Sequence, residues 1–170
     1  MTVSSMQSKR SWQNVVILTL GFWLSSSLIL DWVIMPSLYI SGMMTQAGFT
    51  TAGYTIFWNY NHIELLAAAL VVTGVLVLNK TQAENGRRST TALALLLLAV
   101  PLLSTYFLTP QMSATGMQLN LFDSVTEVPT TMNLLHVGYW VLEAVKFVAG
   151  GTLLFWGTRL PQGGVMNDEF

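Results

Sequence analysis

Three ionisable side chains lie inside a long apolar stretch near the carboxyl end of the sequence. The stretch covers residues 133–157 and carries His136, Glu143 and Lys146. It is long and apolar enough to cross a bilayer, where an ionisable group is costly unless it faces a partner or water. On a helix, His136 and Glu143 share a face because their spacing makes nearly two turns, and Lys146 follows on nearly the same stripe. We therefore expect this helix to turn one polar side away from lipid.

Two other apolar stretches add ionisable groups. Asp31 lies near the far end of the first stretch, one turn after Ser27, and the second stretch opens with a polar segment that includes His62 and Glu64. At about 1.5 Å per residue, Glu64 and Glu143 lie about 13 to 16 Å deep from the same side, near the midplane of a core about 30 Å thick. The sequence therefore predicts one intramembrane polar cluster, which consists of Asp31, His62, Glu64, His136, Glu143 and Lys146.

The cluster suits a cation or proton site. Carboxylates and neutral imidazoles bind hard to borderline cations, and a carboxylate at the midplane is a common device for proton exchange. The alternative is a structural ion pair between Glu143 and Lys146, which lie within reach of each other along one helix. Because His62 and Glu64 are about 200° apart around a helix, a dense metal cage is disfavoured, and the sequence does not identify a metal.

His62 and His136 support a second hypothesis. They could be the two axial ligands of a haem, or either could bind a chlorophyll, between two parallel helices. The chain has no cysteine, which excludes disulfides, thiolate metal sites and covalently attached haem but leaves non-covalent haem open. No phosphate-binding loop, hydrolase motif or metalloprotease motif is present. The sequence thus predicts a protein that is not an enzyme.

The composition indicates that a membrane surrounds these groups. Of 170 residues, 52% are hydrophobic and 9% are charged, which is typical of a polytopic membrane protein. We predict one all-α domain over residues 1–170, built as a bundle of four transmembrane helices. The predicted spans are about 14–36, 56–79, 90–109 and 133–157, and the outer loop at 110–132 has room for a short surface helix.

The basic residues predict the orientation of the protein. Except for Lys146, which lies within the membrane, every basic residue falls on the cytoplasmic side if the amino terminus is cytoplasmic. These residues are Lys9, Arg10, Lys80, Arg87, Arg88 and Arg159. We therefore predict an integral membrane protein with both termini cytoplasmic. Scattered basic residues argue against nucleic-acid binding, so the expected partners are the lipid bilayer and either a second copy of the chain or a larger membrane complex.

Short motifs resemble those of a known family. The sequence has MPSLY after Asp31, QAG at 46–48, IFWNYNHIEL at 56–65 and a Leu-His pair at 135–136. These are similar to the pattern of the transmembrane protein 205-like family and related uncharacterised four-helix membrane proteins. The resemblance implies a four-helix membrane domain of unsettled function and gives no catalytic residues. The Asn-His-Ile-Glu and Glu-Ala-Val-Lys segments depart from the family pattern, so no ligand role transfers to them.

These observations leave two hypotheses for the function. The leading one is a non-enzymatic membrane protein whose polar cluster handles a small cation or proton or docks a partner. The alternative is a subunit that binds non-covalent haem or chlorophyll, or an assembly factor of a larger membrane complex.

Overall fold

Helices make up nearly all of the chain that the computed structural model describes. The described residues are 3–43, 48–80, 84–121 and 130–159, and no strand occurs among them. The all-α fold class is therefore confirmed. Parts of the predicted outer loop and of the QAG motif, at 122–129 and 46–47, lie outside the described residues.

The first span is one continuous helical segment whose winding changes around Asp31. Helix α1 covers Val3–Leu28, a π-helical segment covers Ile29–Ile34, and α2 continues over Met35–Ile40. A π-helix has i→i+5 hydrogen bonds, so its turn is wider than that of an α-helix. Asp31 therefore lies in a locally widened turn of the first span.

Three further helical segments complete the bundle. The second span is α3, Phe49–Asn79. The third comprises α4, Glu84–Leu103, a π-helical segment, Ser104–Leu108, and α5, Thr109–Leu121. The fourth is α6, Thr130–Arg159. The predicted spans at 14–36, 56–79 and 133–157 lie within these helical segments.

The third span extends beyond its predicted end at residue 109 and reaches Leu121. Pro101 lies inside the helix and cannot donate a backbone hydrogen bond to the preceding turn. The hydroxyl of Thr105 donates to the Pro101 carbonyl at 2.6 Å, and the π-helical segment begins at Ser104. This wider turn directly precedes Thr109-Pro110, so we attribute the continuation to its accommodating the Pro110 ring without ending the helix. Residues 110–121, in the segment where we predict an outer loop with room for a short surface helix, are helical and continue the third span.

The four spans form a closed ring. Helix α1 packs against α3 and α6, and α4 packs against the same two helices. Among the described residues α3 and α6 have no close backbone contact, so they lie across the bundle from each other. Gln13 Nε2 donates to the Gly157 carbonyl at 2.7 Å, which joins the start of the first span to the end of the fourth. We call this the terminal end of the bundle, and the end beyond Asp31 the distal end.

The bundle has apolar side chains outside as well as inside. Four segments are long and apolar enough to cross a membrane, namely Gln7–Ile40, Phe49–Asn79, Gly86–Gly116 and Thr130–Arg159. Large side chains on their outer faces are strongly exposed, including Leu18, Leu66 and Val148. Such a surface requires lipid rather than water around it. The chain is accordingly a polytopic membrane protein with a four-helix bundle.

Close packing holds the terminal half of the bundle. Its core contains Val16, Leu20, Val71, Val75, Leu97 and Leu153. A Cβ atom at Gly74 would lie 2.3 Å from Cγ2 of Val16, so the absence of a side chain lets α3 approach α1 closely. Dense packing of this kind is what joins helices in lipid, where no water drives apolar faces together.

Candidate intramembrane site

Lys146 binds two glutamates at the centre of the bundle. Its Nζ lies 2.6 Å from Glu64 Oε1 and 2.7 Å from Glu143 Oε1. Lys146 is 0% exposed and both glutamates are buried. We call Glu64, Glu143 and Lys146 the charge triad. Because Glu64 comes from α3 and the other two from α6, the triad joins the two helices that lie across the bundle from each other.

The charge triad lies near the middle of both helices. Glu64 is the central residue of α3, and at about 1.5 Å per residue it lies about 22 Å from either end. Lys146 occupies the corresponding middle region of α6. Neither position is close to a helix end, where a charged side chain could reach the membrane surface. The charges must therefore be stabilised within the bundle.

Donors from α1 surround Glu64. In addition to Lys146, its Oε1 accepts hydrogen bonds from Trp23 Nε1 at 2.9 Å and from Ser27 Oγ at 3.3 Å. The Ser27 hydroxyl also shares a hydrogen bond of 2.9 Å with the Tyr60 hydroxyl. Donors that converge on one oxygen favour the ionised carboxylate. Three donors, from Lys146, Trp23 and Ser27, therefore converge on Glu64 Oε1.

Glu143 is much less completely bonded. Its Oε1 accepts from Lys146, whereas Oε2 is buried and has no hydrogen-bond partner among the described residues. Glu143 as a whole is only 3% exposed. A buried carboxylate oxygen without a donor is costly. A proton bound to this oxygen would remove the negative charge from the group.

The charges of the triad do not balance when all three groups are ionised. Two carboxylates face one ammonium, which leaves one excess negative charge in the interior. Asp31, which is 4% exposed, adds a further acidic group near this level. An uncompensated charge in a low-dielectric interior is strongly unfavourable. The site can remove the excess by taking up a proton or a monovalent cation.

A second polar layer lies on the distal side of the charge triad. The Tyr139 hydroxyl donates a hydrogen bond to Asp31 Oδ1, which joins α6 to the π-helical segment of the first span. Tyr139 lies one turn before Glu143, and Asp31 follows Ser27 by one turn, so the layer directly adjoins the triad. The Tyr139 ring also packs edge-on against Phe57, with 5.9 Å between the ring centroids. Asp31 and Tyr139 thus extend the polar interior towards the distal end.

The structure brings four of the six predicted cluster residues together and leaves both histidines outside. His62 Nδ1 lies 2.6 Å from its own helix's carbonyl at Trp58, and its ring packs on the Trp58 ring. The cause is its separation of about 200° from Glu64 around α3.

His136 is exposed, and its Nδ1 lies 2.8 Å from the Met132 carbonyl. It shares a helix face with Glu143, as predicted, but its position along α6 is about 10 Å closer to the distal end. This puts it beyond the layer formed by Asp31 and Tyr139. The two histidines also lie at different depths, on helices across the bundle from each other, so they do not form a facing pair of haem ligands.

The described residues provide no dense set of metal ligands either. Among them, no group of three or more histidine, aspartate or glutamate side chains is close enough to hold a metal ion.

The site also contains residues that the predicted cluster did not include. They are hydrogen-bonding partners of the acidic and hydroxyl groups, chiefly Trp23, Tyr60 and Tyr139. Two of them follow a helical spacing of about one turn, Trp23 before Ser27 and Tyr139 before Glu143. This spacing could have identified Trp23 and Tyr139 as members of the site from the sequence alone.

Comparisons with family models, with curated proteins and with solved structures gave no match to this chain. The resemblance to the transmembrane protein 205-like family therefore stays a prediction. The chemistry of the site rests on its own residues.

Proposed function

We propose that this protein binds and releases one proton at Glu143, inside its four-helix membrane domain. The observation that carries the proposal is the buried Glu143 Oε2, which has no hydrogen-bond partner among the described residues while Oε1 binds Lys146. When Glu143 is protonated, Lys146 and Glu64 remain as a neutral ion pair. When the proton leaves, the charge triad becomes singly negative.

A proton fits this position better than a metal ion. A metal cation needs several oxygen ligands in a defined geometry, whereas a proton needs only one basic oxygen. The described residues contain no group of acidic and imidazole side chains suited to a metal. Glu143 offers one unpaired oxygen, which matches the requirement for a proton.

A purely structural ion pair accounts less well for the same residues. One glutamate would suffice to neutralise Lys146, and a neutral pair would leave no excess charge in the interior. The second glutamate adds a buried negative charge that packing does not require. Retaining such a group is costly in a membrane, and proton exchange gives it a role.

The proposal includes an orientation. The six basic residues outside the membrane interior support a cytoplasmic terminal end by their bias towards one side. The distal end, with Asp31 and Tyr139, would then face the opposite compartment. A second copy of the chain or a larger complex is a proposed partner, to which a change in the triad's charge could be communicated.

Haem binding is the less supported alternative. His62 and His136 lie apart and each bonds to a carbonyl of its own helix. An absorption spectrum of the protein purified in mild detergent tests this alternative. A Soret band that disappears in both His62→Ala and His136→Ala would support haem and count against the proton site.

Carbodiimide labelling tests the proton site directly. Dicyclohexylcarbodiimide enters lipid and reacts with protonated carboxyl groups, and peptide mass spectrometry locates the label. We expect labelling of Glu143 that decreases as the pH rises, with little labelling of Glu64, and loss of the main label in Glu143→Gln. Glu64→Gln is the matched control for charge, because its single remaining glutamate balances Lys146. We expect Glu143 to be labelled less in that variant than in the wild type.

Two results would contradict the proposal. One is the absence of label on Glu143 across the pH range in which the protein stays folded. The other is labelling of Glu143 that is equal in the wild type and in Glu64→Gln, since the excess charge would then have no influence on protonation.

A further inference from the structure

Among the described residues, buried polar side chains are confined to one half of the bundle and its centre, with one exception. Those at the level of the charge triad or closer to the distal end are Ser27, Asp31, Asn61, Glu64, Ser104, Thr105, Ser113, Glu143 and Lys146. The exception is Asn79 at the terminal end, which bonds to Thr90, Thr91 and the Arg87 carbonyl. The two directions out of the triad are therefore chemically different.

Towards the terminal end the interior is apolar. Beyond Lys146 the buried residues of α6 are Ala149, Gly150 and Leu153, and the facing core includes Leu20 and Val71. A cavity of about 400 Å³ opens at the terminal end as far as Val75, so the packed apolar zone extends about 16 Å along α3 from Glu64. The buried residues described in this zone carry no side-chain proton donor or acceptor apart from Trp23, whose indole is bound to Glu64. A proton has no side-chain route through it.

Towards the distal end the next layer is polar. Asp31 lies within a π-helical segment and accepts a hydrogen bond from Tyr139, which precedes Glu143 by one turn. Single π-helical turns within α-helices are frequent at functional sites. Tyr139 is half-buried and lies beside the exposed Trp140, so this layer is close to the surface of the bundle. In the part of the chain that the structure describes, Asp31 is thus the acidic group between the triad and the distal end.

We propose that protons reach Glu143 only from the distal end, with Asp31 as the group that relays them and Tyr139 as the residue that positions the Asp31 carboxylate. This inference rests on the proposed function and adds the side of the membrane from which the proton enters. The Asp31 carboxylate takes a proton from water at the distal end, passes it to the Glu143 carboxylate and returns to its ionised form. The Tyr139 phenol stays neutral throughout. The protein would then respond to the pH of one compartment and would not conduct protons across the membrane.

The groups around Glu143 are compatible with this route. Lys146 and Tyr139 face it from α6, Asp31 from the first span, and Glu64 from α3. In the described part of the third span the nearby buried side chains, Ser104 and Thr105, are uncharged. Among the described residues, Asp31 is therefore the ionisable carboxyl group on the distal side of the triad.

Vesicles with the protein in one orientation test the sidedness. Impermeant buffers set the internal and external pH separately, and dicyclohexylcarbodiimide labelling reports the protonated fraction of Glu143. We expect the labelled fraction to follow the pH at the distal side and to ignore the pH at the terminal side. Labelling that follows the terminal side, or both sides equally, would overturn the route. Absence of Glu143 labelling under all conditions would instead reject the proposed function itself.

The relay is tested by rate. After photolysis of a caged proton, time-resolved infrared spectroscopy follows the carboxyl C=O band that is absent in Glu143→Gln. We expect Asp31→Asn to slow the rise of this band about 100-fold, the size of effect typical for loss of a proton-transfer group. Tyr139→Phe should slow it less, and Tyr106→Phe, an exposed tyrosine of the third span, should leave it unchanged. A wild-type rate in Asp31→Asn, with the band itself retained, would refute the relay.

Discussion

Lys146 and Glu64 are joined by a 2.6 Å ion pair although α6 and α3 have no close backbone contact among the described residues. The two side chains span the centre of the bundle, and the ion pair links two helices that no backbone packing joins. A buried charge without its partner is strongly destabilising, whereas a balanced replacement need not be. The charge triad should therefore behave as one unit in stability measurements.

The first prediction concerns the removal of Lys146 alone. Lys146→Met leaves two glutamates without a cation, and we expect it to lower the free energy of unfolding by about 3 kcal/mol or more. The measurement is unfolding in mixed micelles of increasing denaturing-detergent content. The triple variant Glu64→Gln, Glu143→Gln, Lys146→Met is the control and should lose less than Lys146→Met. Equal losses would show that charge imbalance is not the cause.

Carboxyl protonation should also change in Lys146→Met. Without the ammonium, each of the two glutamates can avoid a buried negative charge only by binding a proton. We expect the infrared band of protonated carboxyl groups to grow relative to the wild type, and dicyclohexylcarbodiimide to label Glu64 as well as Glu143. An unchanged labelling pattern would contradict the charge-balance argument.

The second prediction concerns the indole donor to Glu64. Trp23 is buried, and its Nε1 donates to Glu64 Oε1 at 2.9 Å. Trp23→Phe removes the donor while keeping an aromatic ring, and we expect a loss of about 1.5–3 kcal/mol, as for a hydrogen bond to a charged group. Trp32→Phe is the matched control because Trp32 is exposed. Similar losses in the two variants would indicate that tryptophan packing, not the bond to Glu64, dominates.

Sequence reasoning predicts the bundle well because the solvent is the main constraint. The sequence has four long apolar runs, separated by one strongly polar loop and by less polar connections. In lipid each such run must form a helix, because its backbone polar groups have no water to bond to. The same reasoning identifies Asp31, Glu64, Glu143 and Lys146 as inward-facing, since charges avoid lipid. Hydropathy does not determine the end of the third span, because the π-helical segment at Ser104–Leu108 accommodates Pro110 through local winding.

The positions of His62 and His136 outside the polar cluster could not be predicted from the fact that histidine is ionisable. A neutral imidazole can satisfy one nitrogen with a carbonyl of its own helix, as His62 and His136 both do. It therefore has less need than a carboxylate to face the interior. The π-helical winding around Asp31 directly precedes Met35-Pro36, and hydropathy does not predict it.

The third prediction concerns the close approach of α1 and α3. A methyl group at Gly74 would lie 2.3 Å from Val16 Cγ2, whereas one at Gly21 meets nothing within 4 Å. We expect Gly74→Ala to destabilise the protein by about 1–3 kcal/mol through overpacking, and Gly21→Ala to have little effect. Adding Val16→Ala to Gly74→Ala should restore part of the loss. Failure of this rescue would show that the two helices do not meet at these residues.

The last prediction concerns the hydrogen bonds of Asn79 with Thr90 and Thr91 at the terminal end. Asn79 is buried, its Nδ2 donates to Thr91 Oγ1 at 2.9 Å, and its Oδ1 accepts from Thr90 Oγ1 at 3.1 Å. Asn79→Leu leaves these hydroxyls without their amide partner, and we expect a loss of about 1–3 kcal/mol.

Asn59 is the matched control for Asn79, because it is exposed and its side chain donates to a carbonyl of its own helix, that of Thr55. Asn59→Leu should change the free energy of unfolding by about 0.5 kcal/mol or less. Asn79 lies about 22 Å from Glu64 along α3, so Asn79→Leu should leave the pH dependence of Glu143 labelling unchanged while lowering stability. A shifted pH dependence would mean that the terminal end communicates with the charge triad, contrary to the apolar separation between them.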